Sequence, residues 1–443
     1  MRCLLLSLFL GVGLIQAAPP PNIVFMMADD LGWADVAFHG GNAPTPHLDK
    51  LAKESLELTQ HYVAPVCSPT RTGLMTGRFW SRFGITAPHS GRALPWDTVT
   101  LPRALKSMGY ETCLVGKWHL GSKPEWGPSK FGFDHSYGSL GGGVGPYDHH
   151  YKKGEFTQTW HRNGELIEEK GHVTDLLAQE AVKWVEGRGD KPFFLYVPFT
   201  AVHLPVKEPE PWLAKVPASI TGDVARHYTA SIMHMDDAVG QIIDTLEKTG
   251  KRQQTLIIFT SDNGGSRSEN NDRKYPADDY PSGTITSNND PLRGIKGDLY
   301  EGGIRVPTLA NWPETLSPGK FESPAHISDW MPTLCALAGY QDKADLKWDG
   351  LNLWPALTGQ PLEERLLYWA GPNFRAKAVR LGAWKLIVSN QKGNPDGKAE
   401  LFDLSQDPNE MTDLVIQQPA KVTELRSRLA EIEKADRDSV VKP

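Results

Sequence analysis

Residues 22–30 read NIVFMMADD, and residues 255–263 read TLIIFTSDN. In each stretch, a short apolar run ends directly in a pair of oxygen-bearing side chains. The two pairs are Asp29-Asp30 and Asp262-Asn263. A short, uninterrupted apolar run of this kind is typical of a strand buried on both faces of a parallel sheet. We therefore predict an α/β protein in which both polar pairs lie at the edge formed by the carboxyl ends of the strands.

The rest of the chain alternates helical and strand patterns. We predict helices over residues 46 to about 56, 101–108, 173–186 and 228–248, and further strands over residues 111–115 and 193–199. Alternation of this kind predicts a mostly parallel sheet covered by helices on both faces.

Near residue 365 the pattern changes to short strands joined by turns. These strands are predicted at residues 377–380, 384–388 and 399–403, and a charged helix at about 419–436 closes the chain. We predict a large α/β domain over residues 19–364 and a small C-terminal α+β subdomain, an antiparallel sheet with one helix, over residues 365–443.

The first 18 residues have the pattern of a cleaved signal peptide. One positive charge, at Arg2, precedes an apolar run over residues 4–15, which is too short to span a bilayer. The alternative, a buried N-terminal strand or helix, is disfavoured because three prolines follow at residues 19–21. The sequence therefore predicts export, to the periplasm or the medium, with no membrane attachment after cleavage.

Composition narrows the function classes. Of the 443 residues, 40% are hydrophobic and 23% are charged, which are ordinary globular values and exclude disordered, collagenous and coiled-coil proteins. The net charge of −6 argues against a nucleic-acid or anionic-membrane binder. Four cysteines are too few for a disulfide framework, and the chain has no Asn-x-Ser/Thr site. An exported protein with neither feature is more typical of bacteria, and we expect Cys113 and Cys335 to be buried free thiols.

The polar side chains at the strand ends suggest a metal and an anion. The two pairs offer only oxygen, which Ca²⁺ prefers and Mg²⁺ also accepts, whereas no His/Cys cluster has the spacing of a zinc site. Either pair alone could instead simply cap a helix or a turn, but two such pairs at two strand ends favour a metal site. Lys117 and His119 follow the strand over 111–115, and His203 follows the strand over 193–199. If the backbone there is extended, Lys117 and His119 point the same way, toward one ligand. Lys would supply a positive charge for an anion, and His would exchange a proton near neutral pH.

Residues 65–78, PVCSPTRTGLMTGR, place a cysteine at a predicted helix start. Pro69 favours the first turn of a helix, so Cys67 would lie at the N-terminus, where the helix dipole favours negative charge. Arg71 lies one turn further on and can reach back to the same region. From these residues alone, Cys67 is either a reactive thiolate or a buried inert thiol.

These residues resemble a known family. Residues 67–71, CSPTR, match the C-x-P-x-R motif of type I, formylglycine-dependent sulfatases, and residues 109–119, GYETCLVGKWH, resemble the second sulfatase signature. The resemblance continues almost to the end of the chain, through NIVFMMADDLGW at 22–33, AVHLP at 201–205, TSDNGG at 260–265, LRGIKGDLYEGGIRVP at 292–307 and LFDLSQDPNE at 401–410. The sequence is similar to the arylsulfatase A and N-acetylgalactosamine-6-sulfatase branch.

The resemblance implies an alkaline-phosphatase-like α/β fold with a small C-terminal domain. It implies that a maturation enzyme converts Cys67 to formylglycine, whose hydrated form attacks the sulfur of a sulfate ester and then releases sulfate. Asp29, Asp30, Asp262 and Asn263 would hold Ca²⁺ together with the modified Cys67. The implied catalytic roles are sulfate binding by Lys117 and Lys296, protonation of the leaving oxygen by His203, assistance by His119, and support of formylglycine and the carboxylates by Arg71.

The expected substrate is an aryl sulfate or a sulfated sugar, with galactose- or hexosamine-type sulfates first. Residues 145–150 resemble a loop of N-acetylgalactosamine-6-sulfatases, and His89 and Arg92 are further candidates for the pocket wall. One alternative is a phosphoester or phosphonate hydrolase of the same superfamily, against which the lack of a His-rich two-metal motif argues. The other is an inactive glycan-binding relative, against which the presence of every expected catalytic position argues.

Overall fold

The computed structural model describes residues 20–271, 275–277, 279–341 and 346–442. The predicted signal peptide lies outside these residues. No helix among the described residues is long and apolar enough to cross a membrane.

The strands are β1 Asn22–Ala28, β2 Leu56–Leu58, β3 His61–Tyr62, β4 Glu111–Lys117, β5 His135–Ser139, β6 Trp160–Arg162, β7 Glu165–Leu166, β8 Phe193–Pro198, β9 Thr255–Ser261, β10 Leu309–Asn311, β11 Gly319–Phe321, β12 Ala325–His326, β13 Leu366–Ala370, β14 Ala376–Leu381, β15 Trp384–Gln391 and β16 Asn394–Asp403. The α-helices are α1 Pro46–Lys53, α2 Cys67–Thr76, α3 Leu101–Ser107, α4 Val173–Glu186, α5 Glu210–Leu213, α6 Asp223–Lys248, α7 Glu301–Ile304, α8 Trp330–Leu337, α9 Trp354–Leu357 and α10 Pro419–Ile432.

One large sheet forms the centre of the molecule. Its strand order is β11-β2-β10-β9-β1-β8-β4-β5-β6-β7, and the central run from β9 to β5 is parallel. The strands β10 and β6 run antiparallel to their neighbours. The predicted α/β class with a mostly parallel sheet is therefore confirmed.

Strand β1 shows why its sequence is apolar without interruption. Successive side chains of a strand point to opposite faces of the sheet. Ile23, Phe25 and Met27 enter a core cluster shared with α2, α3 and α8, whereas Val24 and Met26 enter a cluster shared with α1, α4 and α6. Helices thus cover both faces, and the strand is buried along its whole length.

The C-terminal strands β13 to β16 form a separate antiparallel sheet in sequential order. On one face, Leu367, Trp369 and Phe402 belong to the same core cluster as the first face of the large sheet. On the other face the strands pack against α10 through Leu425 and Leu429. The predicted division into domains at residue 365 remains a prediction, since the two sheets share this apolar core.

Several boundaries differ from those predicted. Helix α1 ends at Lys53 rather than near residue 56, because Leu56–Leu58 forms β2 beside β10. Strand β13 was not predicted, nor were the edge strands β6 and β7. These segments are short, so local composition alone does not distinguish them from loops.

Candidate active site

The carboxyl ends of β1, β4, β8 and β9 meet at one edge of the sheet. In the parallel register, Met27 is paired with Pro198 on one side and with Thr260 on the other. The residues that follow these strands are therefore brought together. Asp30 donates its backbone N–H to Asp262 Oδ1 at 3.2 Å, and Asn263 Nδ2 donates to Asp30 Oδ1 at 2.8 Å.

Three cations face three carboxylates at this edge. Lys117 Nζ lies 2.6 Å from Asp29 Oδ2, and both side chains are fully buried. Lys296 Nζ lies 2.6 Å from Asp30 Oδ1. The third pair joins Arg71 NH2 to Asp262 Oδ2 at 2.8 Å. Arg71 also donates to the backbone oxygen of Lys117 at 2.6 Å, so it ties α2 to the end of β4.

Burial and the neighbouring charges shift the pKa values of Asp29 and Asp30 in opposite directions. Burial, and then the charge of Asp262, raises the pKa of Asp29 to about 8 even though Lys117 lies beside it. At Asp30 burial also acts to raise the pKa, but Lys296 and His203 outweigh it and hold the pKa below its ordinary value. Without a further positive charge, the Asp29 carboxyl therefore tends to keep its proton at neutral pH, and a cation bound beside it would favour the ionised form.

An oxygen-liganded divalent cation fits this cluster. Asp29 Oδ1 and Asn263 Oδ1 are buried oxygens with no hydrogen-bond partner among the described residues. Ligand atoms of Asp29, Asp30, Cys67 and His203 all lie within 4.8 Å of one another. Buried acceptors without a donor are destabilising, and a hard cation such as Ca²⁺ binds carboxylate and amide oxygens of this kind.

Cys67 is the first residue of α2, as predicted. Val66 before it is extended, so the helix starts directly at the cysteine, and the side chain is only 2% exposed. Thr70, one turn later, donates its hydroxyl to the backbone oxygen of Asp262 at 2.6 Å, which fixes the helix start against β9. Burial, opposed by Lys117 and Lys296, raises the pKa of the Cys67 thiol to about 11. The unmodified side chain is thus a protonated thiol at neutral pH rather than a reactive thiolate.

A cavity of about 590 Å³ opens above Cys67. His119, His203 and Lys296 also line it, whereas Lys117 lies beneath, fully buried against Asp29. A cavity of this size is typical of small-molecule sites. The remaining wall comes from long loops and consists of Pro88, Gly142, Tyr151, Lys152, Leu204, Ser266, Ser268, Glu269 and Asn271.

His119 reaches the cavity by a route that the sequence argument did not predict. The expectation of extended backbone from Lys117 to His119 was wrong, because β4 ends at Lys117 and His119 has a φ of 57°. This left-handed conformation turns the ring into the cavity, and the backbone oxygen of His119 accepts the Ser68 hydroxyl at 2.9 Å. Burial and the nearby Lys117 charge hold the pKa of His119 well below its ordinary value.

His203 faces the carboxylate cluster from the loop after β8. Its Nδ1 lies 2.5 Å from the backbone oxygen of Leu204. Because a carbonyl oxygen only accepts, Nδ1 carries the proton and the lone pair of a neutral ring is on Nε2. That Nε2 lies 3.8 Å from Asp30 Oδ2. Burial and then Lys296 hold the pKa of His203 well below its ordinary value.

The weaker sequence candidates lie around the site rather than at its centre. His89 contributes its backbone N–H to Ser68 Oγ at 3.0 Å, while the Arg92 guanidinium stacks over Trp96. Residues 147–150 line a separate cavity with Trp160. The predicted long loop over residues 263–290 is of a kind that often forms a site, but the sequence singled out neither Tyr151 nor the individual wall residues at 266–271, because isolated polar residues in long loops carry no pattern.

A second cluster of titratable residues lies behind the His203 loop. His234 Nδ1 lies 2.8 Å from Glu208 Oε2, and its Nε2 lies 3.0 Å from Asp175 Oδ1. His172 stacks on the His234 ring at 4.8 Å and accepts the Thr174 N–H at its own Nδ1. Carboxylates on both sides hold His234 as an imidazolium, whereas His172 keeps one proton.

Comparisons with known proteins agree with these features. The family model described as Sulfatase matches residues 21–340. Arylsulfatase J of Mus musculus is 32% identical over 472 residues, covering 94% of this chain and 76% of that protein. N-acetylgalactosamine-6-sulfatase of Homo sapiens is 33% identical over 394 residues, covering 83% of this chain and 72% of that protein.

Solved structures give the same result. The crystal structure of Ps i-CgsB in complex with k-i-k-neocarrahexaose is 31% identical, has a TM-score of 0.84, and covers 96% of this chain and 95% of that chain. The phosphonate monoester hydrolase of Agrobacterium radiobacter is 19% identical with a TM-score of 0.65, covering 94% of this chain and 95% of that chain, which shows a shared fold only.

Proposed function

The chain belongs to the sulfatase family, and from this premise we propose that it hydrolyses sulfate esters of a sulfated sugar through a formylglycine made from Cys67. The supporting observation is the position of Cys67 at the floor of the cavity. It lies at the start of α2, beside the carboxylate cluster, with His119, His203 and Lys296 around it. Of the other side chains that the resemblance names for catalysis, Lys117 is paired with Asp29 and Arg71 with Asp262 in the adjoining carboxylate cluster.

Formylglycine explains why a buried thiol occupies the centre of a hydrolase site. As cysteine, the side chain is protonated and a poor nucleophile in this environment. Once hydrated, formylglycine supplies one hydroxyl to attack sulfur and a second whose deprotonation expels sulfate. The conversion requires a formylglycine-generating enzyme as a partner.

Lys296 and Lys117 are suited to offset the charge of the sulfate group. Lys296 lines the cavity and is also held by Asp30, so its ammonium is fixed in place before substrate arrives. Lys117 lies one layer deeper, where it holds Asp29. Fixed cations in a dry site stabilise charge that develops in a transition state without the need to reorganise solvent.

His203 is suited to protonate the leaving oxygen. The backbone oxygen of Leu204 accepts the Nδ1 proton, so the proton to be delivered must be bound at Nε2. Nε2 lies 3.8 Å from Asp30 Oδ2. The Asp30 carboxylate favours the doubly protonated ring, but burial and Lys296 outweigh it and hold the pKa of His203 low. The proposed role therefore requires that Nε2 carries a proton when the substrate is bound. We assign to His119 the removal of a proton from the nucleophile or from the residual hydroxyl, because its ring lines the same cavity. Arg71 holds Asp262 and, through α2, the residue at position 67.

Ca²⁺ is the proposed cofactor, held by Asp29, Asp30, Asp262, Asn263 and the modified residue 67. When bound, it supplies positive charge next to the nucleophile and the sulfate oxygens. Mg²⁺ is the second choice, because this site offers many fixed oxygens and Mg²⁺ usually keeps several waters.

The names of the relatives support a proposal for the substrate class. The relatives are named for N-acetylgalactosamine sulfate and arylsulfate hydrolysis, and a similar structure holds a neocarrahexaose. We propose that the substrate is a sulfated galactose- or hexosamine-type sugar. We also propose that the protein is exported, as its N-terminal sequence predicts.

Mass spectrometry of the peptide that contains residue 67, after co-expression with the maturation enzyme, tests the modification. Turnover of an aryl sulfate, an aryl phosphate and a panel of sulfated sugars tests the reaction. We expect Cys67→Ala to lose at least about 1000-fold in kcat/KM. Cys113→Ala, which removes another buried thiol, is the matched control and should retain activity. An unmodified thiol without sulfatase turnover, or a preference for phosphate, would contradict the proposal.

A further inference from the structure

A buried charge cluster joins the C-terminal sheet to the catalytic part of the chain. It consists of Glu301 at the start of α7, Lys385 on β15 and Glu410 after β16. Lys385 Nζ lies 2.8 Å from both Glu301 Oε1 and Glu410 Oε1, and all three side chains are fully buried. Glu410 Oε2 also accepts the backbone N–H of Glu301 at 2.6 Å. Charges buried this completely are destabilising unless they are paired, so the position of Glu301 is strongly fixed.

The cluster continues into the loop that carries Lys296. Arg293 donates to the backbone oxygen of Glu410 at 2.9 Å, and its guanidinium lies 3.8 Å from the centre of the Tyr300 ring. The backbone oxygen of Arg293 accepts the N–H of Gly302 at 2.7 Å, which closes the loop on itself. A Cβ at Gly302 would lie 2.5 Å from the oxygen of Gly294, so the closed loop has no room for a side chain there.

The other side of this loop contacts the catalytic centre through the backbone. Lys296 donates its N–H to the oxygen of Gly265 at 3.0 Å, next to the Asp262-Asn263 pair. Gly297 donates to the oxygen of Pro65 at 2.8 Å, two residues before Cys67. The loop is thus held between the C-terminal sheet on one side and the segment before the nucleophile on the other.

We propose that the Glu301–Lys385–Glu410 cluster positions Lys296. Through this cluster, the C-terminal sheet fixes the loop that holds the Lys296 ammonium at the cavity. This inference rests on the role of Lys296 in the proposed function. None of the three residues lines the cavity, so the cluster acts through the loop rather than by contact with substrate. Misplacement of a binding group by about 1 Å can lower the rate by about 100-fold, so a distant anchor has a measurable effect.

A double-mutant cycle in kcat/KM for an aryl sulfate tests this. Glu410→Ala removes the acceptor for the Glu301 N–H and one partner of Lys385, and we expect a loss of about 10-fold or more. In a Lys296→Ala background the same change should cost less than about 3-fold, because the group that it positions is already gone. Glu410→Gln, which keeps an acceptor for the Glu301 N–H, should recover part of the activity.

Tyr368→Phe is the matched control. It removes a buried hydrogen bond to Asp436, 2.7 Å long, within the same C-terminal part of the chain. We expect a lower melting temperature with kcat/KM unchanged within about 2-fold, which separates stability from positioning. If Glu410→Ala does not fold, Arg293→Gln replaces it in the cycle.

Equal losses from Glu410→Ala in both backgrounds would overturn the inference and leave the proposed function intact. Full activity of Lys296→Ala alone would instead contradict the assigned role of Lys296, and with it this inference. A loss confined to the background that retains Lys296 supports the proposal.

Discussion

The buried imidazolium of His234 predicts a specific dependence of stability on pH. Burial lowers the pKa of His234, but hydrogen bonds to Asp175 and Glu208 outweigh it and raise the pKa to about 9, from an ordinary value of 6.5. A raised pKa in the folded state means that the folded protein binds the proton more tightly than the unfolded chain does. The resulting stability is fully present below pH 6.5 and is lost as the pH rises through 9.

The magnitude follows from the size of the shift. A difference of one pKa unit corresponds to about 1.4 kcal/mol, so His234 should contribute about 3 kcal/mol near pH 6. The same linkage relation leaves about 2 kcal/mol at pH 7.5 and less than about 0.5 kcal/mol at pH 9. The side chain of His234 is only 2% exposed, but that of Asp175 is 47% exposed, so screening by solvent weakens the Asp175 contribution and these values are upper bounds.

Urea unfolding at several pH values, in constant Ca²⁺, measures this contribution. The reference protein carries His234→Gln together with Glu208→Gln, so that no buried carboxylate is left without a partner. We expect the difference in unfolding free energy between the wild type and the reference protein to fall by about 3 kcal/mol between pH 6 and pH 9. A difference that stays constant over this range, or that grows with pH, would refute the assignment of His234 as an imidazolium.

Three further predictions concern the carboxylate cluster and the cavity above Cys67. Arg71→Met leaves the buried carboxylate of Asp262 without its partner and should lower the unfolding free energy by about 3–5 kcal/mol. Denaturant unfolding measures this loss, and a value below about 1 kcal/mol would contradict the pairing. Chelation of calcium should lower the melting temperature, and saturating Ca²⁺ should restore about 3 kcal/mol of stability, whereas no shift would argue against the metal. Gly142→Ala would place a Cβ 2.4 Å from His119 Nε2, so kcat should fall about 10-fold with the fold retained, and normal kcat would argue against a role for His119.

Local sequence was sufficient for the fold class and for the ends of the main strands. Strands β1 and β9 end directly before the Asp29-Asp30 and Asp262-Asn263 pairs, as predicted, because their apolar runs reflect burial on both faces. The start of α2 at Cys67 was predicted from Pro69, which suits the first turn of a helix. The short strands β6, β7 and β13 were not predicted, although β6 pairs with β7 and β13 with β14, the next strand along the chain. Runs of two to five residues are too short for an alternating pattern to be recognised.

The amino-acid sequence by itself predicted that the Asp29-Asp30 and Asp262-Asn263 pairs meet, since they follow apolar strands whose ends lie at one edge of a parallel sheet. Lys296 was assigned only through the family resemblance. Only the tertiary structure decided how these side chains pair. Lys296 and Asp30 lie 266 residues apart, and their contact depends on a loop held between Gly265 and the C-terminal sheet. The left-handed turn at His119 is likewise set by packing around the end of β4. Contacts of this kind depend on the relative placement of whole elements, which no local pattern encodes.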